Sequence, residues 1–220
     1  MGISVLDWYN KAHSHEVFRS DLDFYKNVSE MVKGLHLDVS CGNGHLLRLG
    51  QGVGCDFSVE SVSRAKRASP GSMFVVCDSQ YLPFRTETFD TISCLGSLEH
   101  YEDQKLATKE MSRVLKTGGR FLISVTNSKR WTRPFRRIMP GLMQPVDKPI
   151  GLPRTVRLLA NAGLFVTSVA NPHQFDFIQY SKLPTNLAVL LNLFDRVIPI
   201  AVSIEPLYAG SKPEEDRKFT

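Results

Sequence analysis

The sequence predicts an α/β fold in which helices cover both faces of a parallel sheet. Short apolar runs alternate with helical patterns between about residues 22 and 170, as in consecutive β-α-β units. The runs are apolar almost throughout, which is typical of strands that are buried on both faces. A glycine-containing loop follows the first run, and in such sheets ligands bind beside the loops at the carboxyl ends of the strands.

Local patterns predict each element in turn. Phe24, Val28 and Met31 recur at helical spacing, and Gly34 ends that helix. The predicted strands cover 35–39, 52–55, 73–77, 89–95, 120–125, 164–169 and 206–210. The predicted helices cover 45–49, 58–68 and 107–115, and a further helix begins at Pro153. Pro70-Gly71 and Gly118-Gly119 are expected to close the second and third of these helices.

Length and composition indicate a globular chain that needs no covalent staple. The 220 residues suffice for one large domain with a sizeable core. With 42% hydrophobic and 22% charged residues, extended disorder, collagen-like repeats and a coiled coil are excluded.

The loop after the first predicted strand is the strongest local signal for a ligand site. Gly42 and Gly44 allow the chain to turn sharply and a ligand to approach the backbone. The helix predicted to follow would add free N–H groups at its N-terminus. A dinucleotide-binding fingerprint requires a third glycine where Leu47 stands, so a nicotinamide or flavin site is disfavoured.

Three acidic residues lie at or near the carboxyl ends of three successive predicted strands: Asp38, Asp56 and Asp78. Asp56 can accept hydrogen bonds from both hydroxyls of a ribose, or it can cap the helix that follows. Asp78 can read the edge of an adenine, or it can form a turn. The common placement of the three acids around a glycine loop favours a ligand that contains a nucleoside.

Four blocks within 35–125 resemble the class I S-adenosylmethionine-dependent methyltransferases, in the methyltransferase type 11 subgroup that includes ubiquinone-biosynthesis enzymes. The blocks read HLDVSCGNG at 36–44, GCDFS at 54–58, CD, LPF, FD and LEH between 77 and 100, and VLK and GG between 114 and 119. The resemblance implies a Rossmann-like, mostly parallel seven-stranded sheet with helices on both faces and a final antiparallel strand. The sequence departs from the family at Ser40, where a glycine is usual.

The resemblance also implies S-adenosyl-L-methionine as the cofactor. Gly42 and Gly44 would line its methionine part, with Asp38 bracing the loop. Cys94 and Leu95 would run beneath the methionine. The full implied cofactor-binding set is Asp38, Ser40, Gly42, Asn43, Gly44, Asp56, Phe57, Asp78, Ser79, Cys94 and Leu95.

The adenosine half of the cofactor would be held at the next two strand ends. The resemblance implies that Asp56 binds the ribose hydroxyls and that Phe57 packs on the adenine. Asp78, with the Ser79 amide, reads the adenine edge. The implied organisation is one methyltransferase domain over 1–220, made of an N-terminal helical lid (1–34), a cofactor-binding core (35–127), a basic cap segment (128–150) and C-terminal helices with the last strands (151–220).

A catalytic base is needed only if the methyl acceptor must lose a proton. His100 is our candidate because it follows the fourth predicted strand, where the pocket should open; alternatively it is a structural histidine of the family's motif. Further candidates lie in the N-terminal lid and near the C-terminus: Trp8, Tyr9, His13, His15, His173 and Tyr180. For the lid histidines the alternative is a solvated helix face.

The cysteines argue for core packing and a reducing compartment. Cys41, Cys55, Cys77 and Cys94 are widely spaced and match no zinc pattern, so we expect no metal. Residues 1–10 show no basic region followed by an apolar run. Together these features predict a cytoplasmic protein.

The net charge of +5 is local. One acid and six bases lie between Ser128 and Ile150, so this segment accounts for the whole excess. Its basic and aromatic residues are Lys129, Arg130, Trp131, Arg133, Phe135, Arg136, Arg137 and Lys148. The segment is interpreted as a solvated substrate cap, a site for an anionic substrate, a peripheral membrane contact or, as a fourth alternative, an RNA contact.

The sequence therefore predicts a methyltransferase that acts on a small molecule, lipid-like or a natural-product intermediate. A largely apolar helix near 187–194 gives weak support to an apolar acceptor, because burial of this helix against the sheet is the favoured explanation of its composition. An RNA methyltransferase would carry an Asn/Asp-Pro-Pro-aromatic motif after the fourth strand, but 93–97 reads SCLGS, so nucleic acid is not the expected partner. The third alternative is a non-catalytic, membrane-associated module that binds S-adenosylmethionine.

Overall fold

The computed structural model describes residues 22–130, 148–171 and 204–214 and the single positions Ser4, Asp7, Val146, Leu190, Pro199 and Ile200. The strands in these residues are β1 His36–Val39, β2 Val53–Asp56, β3 Met73–Val76, β4 Phe89–Leu95, β5 Leu115–Ser124, β6 Phe165–Ala170 and β7 Leu207–Ser211. The helices are α1 Leu22–Met31, α2 Val59–Ala68, α3 Gln104–Val114 and α4 Leu152–Asn161, with 3₁₀ turns at Leu46–Arg48 and Leu98–His100.

The seven described strands form one sheet in the order β3-β2-β1-β4-β5-β7-β6. The first five are parallel, and β7 runs antiparallel to both β5 and β6. The predicted mostly parallel sheet with a final antiparallel strand is therefore confirmed. Because the strand order reverses between β1 and β4, the loops that follow these two strands diverge and open a crevice at the carboxyl edge.

Two apolar cores lie on opposite faces of the sheet. On one face, Ala107 and Met111 of α3 pack against sheet residues such as Ile92. On the other face, Phe24 and Val28 of α1 pack against residues of β5 and β7. The prediction of helices on both faces is confirmed, and the two cores fix the strands whose ends carry the predicted site.

Two local predictions are wrong. A 3₁₀ turn at Leu46–Arg48 stands where a helix over 45–49 was expected, because both Leu46 and Leu47 turn into the core and the chain must enter β2 soon afterwards. Gly118-Gly119 does not close α3, which ends at Val114. The pair lies inside β5, where Gly118 at φ 78° accommodates the irregularity between the two pairings of β4 with β5.

Candidate functional site

The loop after β1 turns through three residues with positive φ. Ser40, Gly42 and Gly44 have φ values of 55°, 52° and 73°. A Cβ atom on Gly44 would lie 2.9 Å from the Cβ of Ala65 in α2, so only glycine fits there. This winding brings the loop backbone to the carboxyl ends of β1 and β2, as the glycine pattern predicts.

Asp56, the last residue of β2, pins this loop. Its side chain is buried, and its Oδ2 accepts a hydrogen bond from the Gly42 amide at 2.9 Å. Its Oδ1 accepts one from the Ser58 amide at 2.9 Å. The N-cap of α2 is Ser58, whose hydroxyl accepts from the Ser61 amide, so Asp56 is not the N-cap. Phe57 follows it, half-buried.

Asp38 lies inside β1 and belongs to a buried chain of three polar side chains. Ser93 of β4 donates its hydroxyl proton to Asp38 Oδ1 at 2.6 Å. His36 Nε2 lies 2.8 Å from the same hydroxyl oxygen and must donate to it, since the hydroxyl has only one proton. Burial, opposed by the Ser93 hydrogen bond and assisted by the Asp56 charge, raises the pKa of Asp38 to about 7.

The loop after β3 contributes one exposed and one buried residue. Asp78 is exposed, and its Oδ1 accepts from the Gln80 amide at 2.8 Å, which makes a local turn. Ser79 is buried, and its hydroxyl lies 3.1 Å from the Ser40 hydroxyl. The structure thus brings Ser79 onto the loop after β1, whereas the described contacts of the Asp78 carboxylate are local.

A cluster of hydroxyls joins three of the loops at the carboxyl edge. Ser40 Oγ lies 2.7 Å from the Tyr101 hydroxyl as well as 3.1 Å from Ser79 Oγ. The Tyr101 hydroxyl also lies 3.5 Å from Cys94 Sγ. Burial raises the pKa of Tyr101 well above its usual value, so the hydroxyl stays protonated. Sequence reasoning missed Tyr101, and the serine at a family glycine was the one signal that a partner existed.

We expect the hydroxyl cluster to compensate for the strain of Ser40. Ser40→Gly removes a non-glycine residue from positive φ, which is worth about 1 kcal/mol, but it leaves the Tyr101 hydroxyl short of a partner, which costs about 1–3 kcal/mol. Ser40→Gly should therefore lower the free energy of unfolding in the native background and raise it in a Tyr101→Phe background. Urea unfolding of the four proteins measures this coupling, and additive effects would contradict it.

The remaining predicted cofactor residues lie around this loop. Cys94 is fully buried near the carboxyl end of β4, where burial raises the pKa of its thiol to about 12. Leu95 is half-buried and packs on the α1 side of the sheet. Asn43 is buried within the loop itself. In the part of the chain that the structure describes, no group of His, Cys, Asp and Glu is arranged to hold a metal ion.

His100 is the last residue of the 3₁₀ turn Leu98–His100, which follows β4. Its Nδ1 is 2.6 Å from the Val146 carbonyl oxygen, which can only accept, so Nδ1 carries a proton. In the neutral ring Nε2 therefore holds the lone pair, the form that a general base requires. Nε2 lies 3.8 Å from Oε1 of Glu99, a buried carboxylate to which sequence reasoning gave no role.

Several predicted features lie outside the described residues. These are the lid residues Trp8, Tyr9, His13 and His15, the candidates His173 and Tyr180, and the basic and aromatic positions Trp131, Arg133, Phe135, Arg136 and Arg137. Of the basic segment, Lys129 and Lys148 are described and exposed. Arg130 is 6% exposed, so this base is part of the packed interior and not of a solvated patch.

Known proteins that resemble this chain are methyltransferases. Residues 37–123 match the family model described as a methyltransferase domain. The chain is 32% identical over 146 residues to the probable tRNA methyltransferase 9B of Bos taurus, covering 58% of this chain and 32% of that protein. It is 38% identical over 86 residues to the demethylmenaquinone methyltransferase of Streptomyces griseus, covering 39% and 37%.

The fold is shared with solved structures. A chain of the complex between the Haloferax volcanii Trm112 methyltransferase activator and a protein assigned as a methyltransferase superimposes with a TM-score of 0.73 at 19% identity, over 96% of this chain and 99% of that one. The present chain spans about a third of the length of the two curated relatives. Over residues 37–123, which match the methyltransferase-domain model, the resemblance to the class I, S-adenosylmethionine-dependent methyltransferases is confirmed.

Proposed function

We propose that this protein is an S-adenosylmethionine-dependent methyltransferase that acts on a small molecule. The observation that carries the proposal is the Asp56 carboxylate, which fixes the positive-φ loop after β1 by accepting the Gly42 amide at the carboxyl end of β2. The site suits a cationic nucleoside cofactor in a second respect. The pKa of the buried Asp38 carboxyl is raised, and a positively charged ligand nearby would favour its ionised form.

The residues of the chain then have distinct tasks. The cofactor supplies an activated methyl group on a sulfonium, so the protein must bind, orient and exclude water. Gly42 and Gly44 let the methionine part approach the backbone, while Asp56 with Phe57, and Asp78 with Ser79, hold the adenosine part. His100 takes the proton from the acceptor at Nε2, with the Val146 carbonyl fixing its tautomer.

An RNA substrate is the second candidate. It is favoured by the relative named as a probable tRNA methyltransferase, whereas the relative named as a demethylmenaquinone methyltransferase favours a small molecule. No helix among the described residues is both long and apolar enough to cross a membrane. Three further features stay predictions. They are the cytoplasmic location, the division of the chain into lid, core, cap and C-terminal part, and contacts of 128–150 with anions or membrane surfaces.

Calorimetry with S-adenosylhomocysteine tests the cofactor assignment directly, and absence of binding would refute it. Methyl transfer from labelled cofactor to demethylmenaquinone, to a panel of small amines and hydroxy compounds, and to bulk tRNA then separates the two substrate classes. Label on tRNA alone would overturn the small-molecule assignment.

The same assay tests His100. We expect His100→Gln to lower kcat by about a hundredfold or more, as the loss of a general base does, and to leave the affinity for S-adenosylhomocysteine unchanged. An unchanged kcat would mean that His100 is structural.

A further inference from the structure

Strand β3 is an edge of the sheet, and in the part of the chain that the structure describes only β2 pairs with it. Met73 and Cys77 donate their amides to carbonyl oxygens on the β2 side. Because successive amides of a strand point in opposite directions, those of Phe74 and Val76 point away from β2, together with their carbonyl groups. The outer side of β3 therefore offers a row of hydrogen-bonding groups to a further strand.

The side chains of β3 add apolar surface to this edge. Met73 is 66% exposed on one face of the sheet, and Val76 is 46% exposed on the other. Edge strands are usually protected from pairing by a lysine, a proline or a bulge. The strand reads MFVV and pairs with β2 in an unbroken register, so β3 carries none of these devices.

The opposite outer strand of the described sheet, β6, is built differently. Its pairing with β7 is irregular between Val166 and Ser168, and Thr167 lies within that irregularity. Thr167 and Ser168 are both exposed and polar. An irregular ladder and polar side chains hinder the addition of another strand. One edge of the sheet is thus protected, and β3 is the edge that can accept a strand.

The charges at the two ends of β3 indicate which strand it accepts. Lys66 and Arg67 are exposed in the last turn of α2, just before β3 begins. Asp78 is exposed just after β3 ends. When two β3 strands pair antiparallel, the basic end of each copy lies beside the acidic end of the other, so the attraction occurs twice. A second copy of the chain therefore complements this edge in charge.

The backbone of β3 is self-complementary in the same arrangement. A two-fold axis at Val75, perpendicular to the sheet, sets Phe74 of one copy opposite Val76 of the second copy, and the reverse. Since both residues direct N–H and C=O outward, each such pair exchanges both of its N–H···O=C bonds. This axis also keeps the faces of the sheet in place, so the two α2 helices lie on the same face.

We propose that the protein forms a dimer in which the β3 strands of two copies pair antiparallel and join the two sheets into one. Because the contact is isologous, it closes at two copies and leaves no β3 edge open to aggregation. The inference concerns a different surface from the crevice between the loops after β1 and β4. It does not depend on the proposed methyltransferase function.

Sedimentation velocity of the full chain between about 1 and 100 µM tests the dimer. We expect dimers, and we expect Val76→Pro to raise their dissociation constant by about tenfold or more. Proline removes an outward amide that β2 does not use, once in each copy, and edge strands tolerate it. Val76→Thr is the matched control, because it keeps both the amide and the β-branched shape, and it should leave the constant within about threefold.

Amide hydrogen exchange, followed by NMR on the native protein, locates the contact. The Val76 amide points out of the sheet, whereas the Val75 amide points toward β2. Exchange at Phe74 and Val76 should slow as the protein concentration rises, because only the dimer protects these amides. Exchange at Val75 should not depend on concentration, since its hydrogen bond lies within one copy.

Charge reversal tests the orientation of the two strands. Lys66→Glu together with Arg67→Glu places like charges beside Asp78 of the second copy and should weaken the dimer by about tenfold or more at low salt. Lys105→Glu together with Lys109→Glu is the matched control. It makes the same change at exposed positions of α3 and should leave the dimer intact.

Three outcomes overturn the proposal. A monomer at the highest concentration would mean that β3 does not pair with itself, and a strand of a different protein would be the remaining occupant of this edge. A dimer that Val76→Pro leaves unchanged would have its interface elsewhere, as would one in which exchange at Val76 is independent of concentration. Circular dichroism checks that Val76→Pro folds, and if it does not, exchange on the native protein decides.

Discussion

Asp56→Asn is expected to weaken the binding of S-adenosylhomocysteine by about a hundredfold, or roughly 2.7 kcal/mol. In the native protein both carboxylate oxygens accept backbone amides, from Gly42 and from Ser58. Charge-assisted hydrogen bonds of this kind are worth about 1.5–3 kcal/mol each. An asparagine can satisfy only one of the two amides and turns its NH₂ group toward the other, so the loop loses its anchor. The ribose-binding role proposed for Asp56 would also lose its ionised acceptor.

Calorimetry at constant pH measures the effect, and Glu60→Gln provides the matched control. Glu60 lies four residues further on, in the first turn of α2, and pairs with Arg64 on the exposed side of that helix. Glu60→Gln also removes one negative charge near the start of α2, but it leaves the hydrogen bonds of the loop after β1 in place. We expect unchanged affinity for Glu60→Gln. Asp56→Asn binding within threefold of the native protein, with its fold intact, would show that the loop is held by other contacts.

The sequence predicts which residues lie at the ends of the strands, because apolar runs and glycines are local signals. It placed Asp38, Asp56 and Asp78 at or near the carboxyl ends of three successive strands. In the structure Asp38 is the residue before the last of β1, Asp56 is the last residue of β2, and Asp78 follows the end of β3. The sequence could not distinguish their environments. Asp56 is buried and bonded to a loop 14 residues away, whereas Asp78 is exposed and bonded to its own turn, and no local pattern encodes that difference.

The contacts that the sequence did not reveal are long-range pairings of polar side chains. Ser93 reaches Asp38 only because β4 pairs with β1 in a register that sets the two residues side by side. Tyr101 reaches Ser40 across 61 positions of the chain. Glu99 was visible as one letter of a motif, and its partner Thr126 follows a different strand. Such pairs depend on how strands align, which residue periodicity does not determine.

The buried chain His36–Ser93–Asp38 leads to the largest expected effect on stability. Burial lowers the pKa of His36 from 6.5 to about 4, while burial raises the pKa of Asp38 from 3.8 to about 7. The folded protein keeps a proton on Asp38 that the unfolded chain has lost, so this group makes stability fall as pH rises from 3.8 to 7. The folded protein excludes a proton from His36 that the unfolded chain binds, so His36 makes stability rise between pH 4 and 6.5.

Asp38 and His36 change the free energy of unfolding in opposite directions over nearly the same pH range. A variant that removes one of these two titrating groups should therefore reveal the pH dependence that the other contributes. In Asp38→Asn the His36 slope remains, so the free energy of unfolding should rise with pH between 4 and 6.5. In His36→Gln the Asp38 slope remains, and the free energy of unfolding should fall between pH 4 and 7. The limiting slope is about 1.4 kcal/mol per pH unit, and the full spans are on the order of 3 and 4 kcal/mol.

Urea unfolding of the native protein and both variants at pH 4.5, 5.5, 6.5 and 7.5 measures these slopes, and every other titrating group cancels in the differences. The advantage of Asp38→Asn over the native protein should grow as pH rises, because an amide has no proton to lose. The advantage of His36→Gln should grow as pH falls, because glutamine keeps a donor for the Ser93 hydroxyl but cannot be protonated. Parallel profiles for all three proteins would mean that neither burial shifts protonation on folding. A cationic cofactor should then reduce the Asp38 slope, since it favours the ionised form of that carboxylate.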